Sequence, residues 1–128
     1  MIITLFSNTS WSLYNFRKEF ILKLLNDKNQ VQIISNRDET SKELVKRLVN
    51  DLTIPIKVMV RPRSGDFCYN DEEIMQMHND ILDFKTLGVF GVVFGVLRHD
   101  KSVNINIVND LISTSNGMDI TFHKAIDE

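Results

Sequence analysis

"IPIKVMVRPRSGDFCYNDEEIMQMHNDILDFKTLGVFGVVFGVL", residues 54–97, reads as a strand, a polar loop, a helix and a second strand. Ile54–Val60 is largely apolar, with Pro55 near its start, where a missing N–H is tolerated. Asn70 followed by Glu73 has capping-box spacing, and Asp71 and Glu72 favour the positive end of a helix. Ile74, Met77, Ile81 and Phe84 then recur at helical spacing until Gly88. Val89–Val96 is apolar on both faces, the pattern of a strand buried in a parallel sheet. Such a unit joins two parallel strands by a right-handed crossover.

The same alternation extends in both directions. Ile2–Phe6 and Val31–Ile34 read as strands, separated by a helix over Ser12 to Asn26 that carries Leu13, Phe16, Phe20 and Leu24 on one face. Thr40 or Ser41 caps a helix containing Leu44, Val45, Leu48 and Val49. Beyond residue 97, Val103 to Ser113 is a weaker helix and Asp119–Phe122 a strand. The prediction is one α/β domain over residues 1–128, with five mainly parallel strands alternating with helices. Two arrangements satisfy it. One is a partial TIM barrel, an open arc whose unpaired edges invite self-association; the other is a flavodoxin-like, doubly wound open sheet. Since the chain ends soon after Phe122, no fifth full helix is expected.

Of the 128 residues 43% are hydrophobic and 25% charged, an ordinary globular composition. A net charge of −2 gives bulk electrostatics no reason to favour nucleic acid. A single cysteine fits a reducing, cytoplasmic setting. The start of the chain lacks the pattern of a signal peptide, and the apolar run Gly88 to Leu97 is too short to span a bilayer, so a soluble protein without a membrane anchor is expected.

In parallel α/β folds the chemistry gathers at the carboxyl ends of the strands. Arg61, Arg63, Asp66 and Tyr69 follow the third strand, Gly95, Arg98 and Asp100 the fourth, and His123 the fifth, so three segments converge on one rim. Flanking Pro62, Arg61 and Arg63 can clamp a carboxylate or phosphate, or else pair with Asp66, Asp71 or Asp100 to organise the rim. His123 is either a general base oriented by Asp100 or Asp127, or a hydrogen-bonded rim residue. Whether the chain is an enzyme is left open. Cys68, with Met59, Met75, Met77 and His78 nearby in sequence, supplies soft atoms suited to Cu(I), although their spacing fits packing better.

"IPIKVMVRPRSGDFCYNDEE", then "GVVFGVL" with Asp100 after it, then "DITFHKAIDE" closely resemble the copper homeostasis protein CutC family. The likeness runs from about Thr53 to Glu128. It implies a TIM barrel with a polar site at the top of its strands, carried here by Arg61, Arg63, Asp66, Tyr69, Asp100 and His123. A small anionic ligand is the implied partner, and copper is implied through the family name. The opening, with "SNTSWSLYNFR" at residues 7–17, is instead similar to the first βαβ unit of a GT-B glycosyltransferase, over about residues 1–40. That second likeness implies a saccharide or partner chain at Asn8, Ser10 and Arg17, and makes the chain look like an incomplete hybrid.

Overall fold

The computed structural model describes residues 2–7, 18–27, 30–35, 41–51 and 55–127. Its elements are β1 (Ile2–Ser7), α1 (Lys18–Asn26), β2 (Gln30–Ser35), α2 (Ser41–Asp51), β3 (Ile56–Met59), α3 (Asp71–Thr86), β4 (Gly91–Phe94), α4 (Ile105–Thr114) and β5 (Asp119–Phe122). A 3₁₀ turn, Lys124–Asp127, follows β5. The strands pair in the order β1-β2-β3-β4-β5, each neighbour parallel to the next. Consecutive order means that every crossover turns the same way, as in a β/α barrel. A flavodoxin-like sheet would place its second strand outside the first. The doubly wound alternative is therefore corrected: the chain never reverses its direction of travel across the sheet. The predicted helix start at Ser12 and the cap at Thr40 lie outside the described residues.

Helix α3 shows why the boundaries fall where they do. The Asn70 side chain accepts from the Glu73 N–H, and Glu73 reaches back to the Asn70 N–H, closing the capping box. At the other end Gly88 takes φ +77°, its N–H bonds the Lys85 carbonyl, and the Val89 N–H bonds the Phe84 carbonyl. That is a Schellman closure, which needs the left-handed backbone that glycine adopts without strain. It also shortens β4 relative to Val89–Val96, because the Val89 N–H already serves the helix. Val96 is likewise taken, its carbonyl accepting from Asn104 N at the start of α4.

Alternation along β3, β4 and β5 sorts side chains to two faces. Ile56, Val58, Val60, Val92, Phe94 and Val96 form one buried core with Met77, Ile81 and Phe84 of α3 and Leu111 of α4. Removing this apolar surface from water supplies the main stabilisation, at about 25 cal/mol per Å². The register, Lys57↔Gly91↔Asp119 and Met59↔Val93↔Thr121, stacks the other face in layers. One further step along each strand brings Arg61, Gly95 and His123 to the same level.

The lowest layer is ionic. Lys57 is only 8% exposed, and its Nζ lies 2.5 Å from Asp119 Oδ1 and donates to Thr121 Oγ1 at 2.9 Å. Gly91 makes this possible, since a Cβ there would stand 2.5 Å from the Asp119 carbonyl oxygen. No real structure tolerates that approach, so β4 and β5 would have to separate. Gly91→Ala is expected to destabilise the fold by more than about 2 kcal/mol, because the clash is with backbone rather than a movable side chain. Urea melts check this, and a loss below about 0.5 kcal/mol would show that the strands can shift freely.

Candidate functional site

The β3–α3 loop is organised by Arg63. Its Nε donates to Glu73 Oε1 at 2.6 Å, and one terminal nitrogen, NH2, donates to Asp66 Oδ1 and to the Cys68 carbonyl, each at 2.8 Å. The other, NH1, makes longer bonds to the Ser64 and Asp66 carbonyls, at 3.3 and 3.4 Å. Every donor of this guanidinium is engaged by the protein itself. Asp66 raises the Arg63 pKa most, and Arg63 in turn holds the Asp66 carboxyl below its ordinary range. Glu73 is lowered first by the Asn70 N–H and then by Arg63. Arg63, Asp66 and Glu73 thus tie the loop to the first turn of α3.

Arg61 is in a different situation. One terminal nitrogen donates to the Gly65 carbonyl at 2.6 Å, and the guanidinium lies over the Phe67 ring, 4.7 Å from its centroid. Phe67 is buried with Leu97 and Ala125 in a small second core beneath the loops, where Cys68, Tyr69, Val103 and Phe122 pack against it. The other side of Phe67 meets His123, with ring centroids 4.8 Å apart. Gly95 gives the imidazole its place, since a Cβ there would come within 2.7 Å of the His123 ring.

Around this stack, Arg61 Nε, the Tyr69 hydroxyl and His123 Nε2 are buried and meet no partner in good hydrogen-bond geometry among the described residues, although the Tyr69 hydroxyl lies against the Arg61 guanidinium. His123 Nδ1 accepts from the Ala125 N–H at 3.3 Å, so the proton of the neutral ring sits on Nε2. Burial, with the positive charges of Arg61 and Lys124, lowers the His123 pKa below 6.5. Burial also raises the Tyr69 phenol, against the opposing pull of Arg61. All three orphaned atoms can donate, and each costs about 1–3 kcal/mol while unmet.

The β4–α4 loop holds Asp100 away from this cluster. Its Oδ1 accepts from the Ser102 N–H at 3.0 Å and the Ser102 hydroxyl at 2.6 Å, which lowers its pKa. Two clefts, about 430 and 460 Å³, flank the Phe67–Tyr69 segment and share Cys68, Leu97, Arg98 and His99. The six rim residues predicted from sequence therefore separate by role. Arg61, Tyr69 and His123 share the unmet donors, Arg63 and Asp66 brace the loop, and Asp100 braces its own turn. A place for Phe67 beneath the loop follows from the sequence, but its stacking against Arg61 and His123 does not, nor does Gly95 as the space for His123. The Lys57–Asp119 pair was also missed, though its signal was a single charge of opposite sign in each of two apolar strands.

The soft atoms do not converge. Met77 is fully buried in the helix-facing core, Met75 is 61% exposed, and His78 Nδ1 shares a 2.7 Å hydrogen bond with Thr114 Oγ1. Among the described residues no three His, Cys, Asp or Glu side chains group as metal ligands. A cation at the orphaned donors would also face Arg61, at roughly 4 kcal/mol for unit charges about 4 Å apart. The described residues do not fit copper. Asn8, Ser10 and Arg17, expected to meet a saccharide, lie outside the described residues. No helix among those residues is long and apolar enough to cross a membrane.

The CutC family model matches residues 36–128. The CutC family protein of Histophilus somni (strain 2336) is 44% identical over 84 residues, covering 66% of this chain and 35% of that protein. That of Glaesserella parasuis serovar 5 is 47% identical over 75 residues, covering 59% of this chain and 31% of that protein. The chain thus spans about a third of the length of these relatives. A crystal structure of a CutC protein from Streptococcus agalactiae, described as a candidate copper homeostasis protein, superposes with a TM-score of 0.76 at 24% identity. It covers 98% of this chain, β1 and β2 included, and 60% of the other.

Two outcomes follow from the site. Cys68, half-buried and unpaired, acts as filler, so Cys68→Ala is expected to cost about 1 kcal/mol or less, whereas Arg63→Ala, which strands Glu73 and the Cys68 carbonyl, costs more. Paired urea melts read this, and the reverse ranking would give the sulfur a role. The pH profile tests His123. With its folded pKa below the unfolded 6.5, its contribution is complete above pH 6.5 and declines as pH falls from there to the folded value. Wild type is therefore expected to lose stability relative to His123→Gln over that window. Parallel profiles of the two proteins would rule out the depressed pKa.

Proposed function

We infer that this chain, which belongs to the CutC family, binds a small oxyanion at the carboxyl ends of β3 and β5. The observation that carries this reading is that Arg61 Nε, the Tyr69 hydroxyl and His123 Nε2 are all buried without partners, with Arg61 near enough to act electrostatically on both Tyr69 and His123. Three donors around one fixed positive charge suit a carboxylate or phosphate, which would offer each an acceptor oxygen. Arg63, Asp66 and Glu73 hold the loop that presents Arg61 and take no part in contact. Unpaired Cys68 goes with a reducing, cytoplasmic setting for the protein. The described residues offer no grouped set of soft ligands for copper, so this reading assigns the seat to an anion.

Isothermal calorimetry with gluconate and with inorganic phosphate tests the reading. Arg61→Gln is expected to weaken binding by about tenfold or more, the loss of one charge-assisted contact, while Asp100→Asn leaves it unchanged. Affinity for gluconate rises as pH falls below 6.5, because a bound anion favours the imidazolium of His123. Binding that is indifferent to both Arg61→Gln and pH removes the proposal.

A further inference from the structure

We propose that Lys57 and Asp119, two layers below the rim, are positioning residues that hold His123 at the level of Arg61. This rests on the oxyanion reading of Arg61, Tyr69 and His123. The independent observation is a spacing repeated in three strands. Lys57 and Arg61 lie four residues apart along the β3 segment, Gly91 and Gly95 four apart along β4, and Asp119 and His123 four apart along β5. Four residues of strand return to the same face about 13 Å further on. Both levels therefore have one composition: a long cation from β3, a bare glycine from β4 and a partner from β5.

The lower level joins strands that are not neighbours. Lys57 Nζ reaches over Gly91 to Asp119 Oδ1 at 2.5 Å and Thr121 Oγ1 at 2.9 Å, although β4 separates β3 from β5. Backbone bonds carry that alignment up to the rim. The Asp119 N–H donates to the Phe90 carbonyl at 3.0 Å, and the His123 N–H donates to the Phe94 carbonyl at 3.2 Å. On the opposite edge of β4 the Val60 N–H donates to the Val93 carbonyl at 2.9 Å. The register that sets Asp119 opposite Gly91 thus sets His123 opposite Gly95.

Apolar packing specifies this register weakly. β4 is buried throughout, whereas Asp119 of β5 is exposed and Ile120, Thr121 and Phe122 are half-buried. A slip of β5 by two residues would keep every side chain on its own face and every ladder bond available. It would also carry the Asp119 carboxylate about 7 Å along the sheet, away from Lys57. Lys57 is only 8% exposed, and breaking a buried pair leaves a charge uncompensated, so the pair favours one register. At that register the His123 ring fills the space over Gly95 and meets Phe67 at 4.8 Å between centroids. The charges acting on it there are Arg61, from the β3 end, and Lys124, from its own turn.

The double variant K57M/D119N removes both charges together and strands neither, so it is expected to fold. NMR follows the His123 imidazole through a pH titration at constant salt. Its pKa, held below 6.5 in wild type, is expected to move up towards 6.5 in the double variant, as the ring loses burial and the distance from Arg61 grows. The single variant D119N, isosteric at a half-exposed site, should move it the same way by less. Ile81→Val, which lightens the helix-facing core, should lower stability in urea and leave the titration in place. Calorimetry at pH 7.5 should show gluconate held about fivefold or more weakly by K57M/D119N than by wild type, the loss of one hydrogen bond. A His123 titration that coincides in wild type, K57M/D119N and D119N overturns the proposal and leaves the pair a purely structural one. Arg61→Gln separates the two readings. If gluconate binding is indifferent to it while the His123 titration still follows Lys57 and Asp119, the anion seat fails and the positioning role stands.

Discussion

Two positions without side chains make room for everything polar on the inner face of this sheet. At Gly91 the neighbouring strand passes so close that a single carbon would strike the Asp119 carbonyl, and at Gly95 the space is filled by the His123 ring. β4 therefore contributes almost no volume to the inner layers, and its neighbours on either side fill them. Lys57 reaches across to Asp119 and Thr121 in one layer, and Arg61 and His123 share the level above. Larger residues at either glycine would push β5 away and dissolve both layers together.

The two arginines of one loop stand in opposite situations. Arg63 has every donor engaged, by two carboxylates and three carbonyls, and both carboxylates are lowered in pKa by their partners. Such a group is a structural clamp. Arg61, two residues earlier, alternates to the inner face, stacks on Phe67 and keeps a buried donor unmet. An unmet buried donor is costly in isolation, so its survival beside two others is the kind of cost a binding site carries until its ligand arrives. The same contrast runs through the carboxylates. Asp66 bonds Arg63 and Asp100 bonds Ser102, each carboxylate serving the loop that carries it.

Copper illustrates how a name and a geometry can part. The chain lies within a family whose members carry that association, yet Met77 is in the core and Met75 in solvent, while His78 bonds Thr114 and His123 is acted on by Arg61. Soft ligation needs several such atoms within one coordination sphere. Period-2 and period-3.6 alternation instead direct Met59 to the inner face and Met77 to the helix-facing core.

Much of the fold was legible in the sequence, because local rules govern it. The Asn70–Glu73 spacing specified the cap of α3, Gly88 its end, and the unbroken apolar run a strand covered on both sides. The alternation of strand and helix determined a parallel sheet, and the position of Arg61, Arg63, Asp66, Tyr69, Asp100 and His123 after strands placed them on one rim. Strand order was left open between two windings, since alternation is identical in both; only the tertiary structure decided for consecutive order. It also decided which rim residues are free. Arg61 and Arg63 are the same residue type two positions apart, and nothing local says that one meets Glu73 across the loop while the other faces His123 from a strand two places away. Those partners depend on register between distant segments, and register is settled by packing, not by neighbours along the chain.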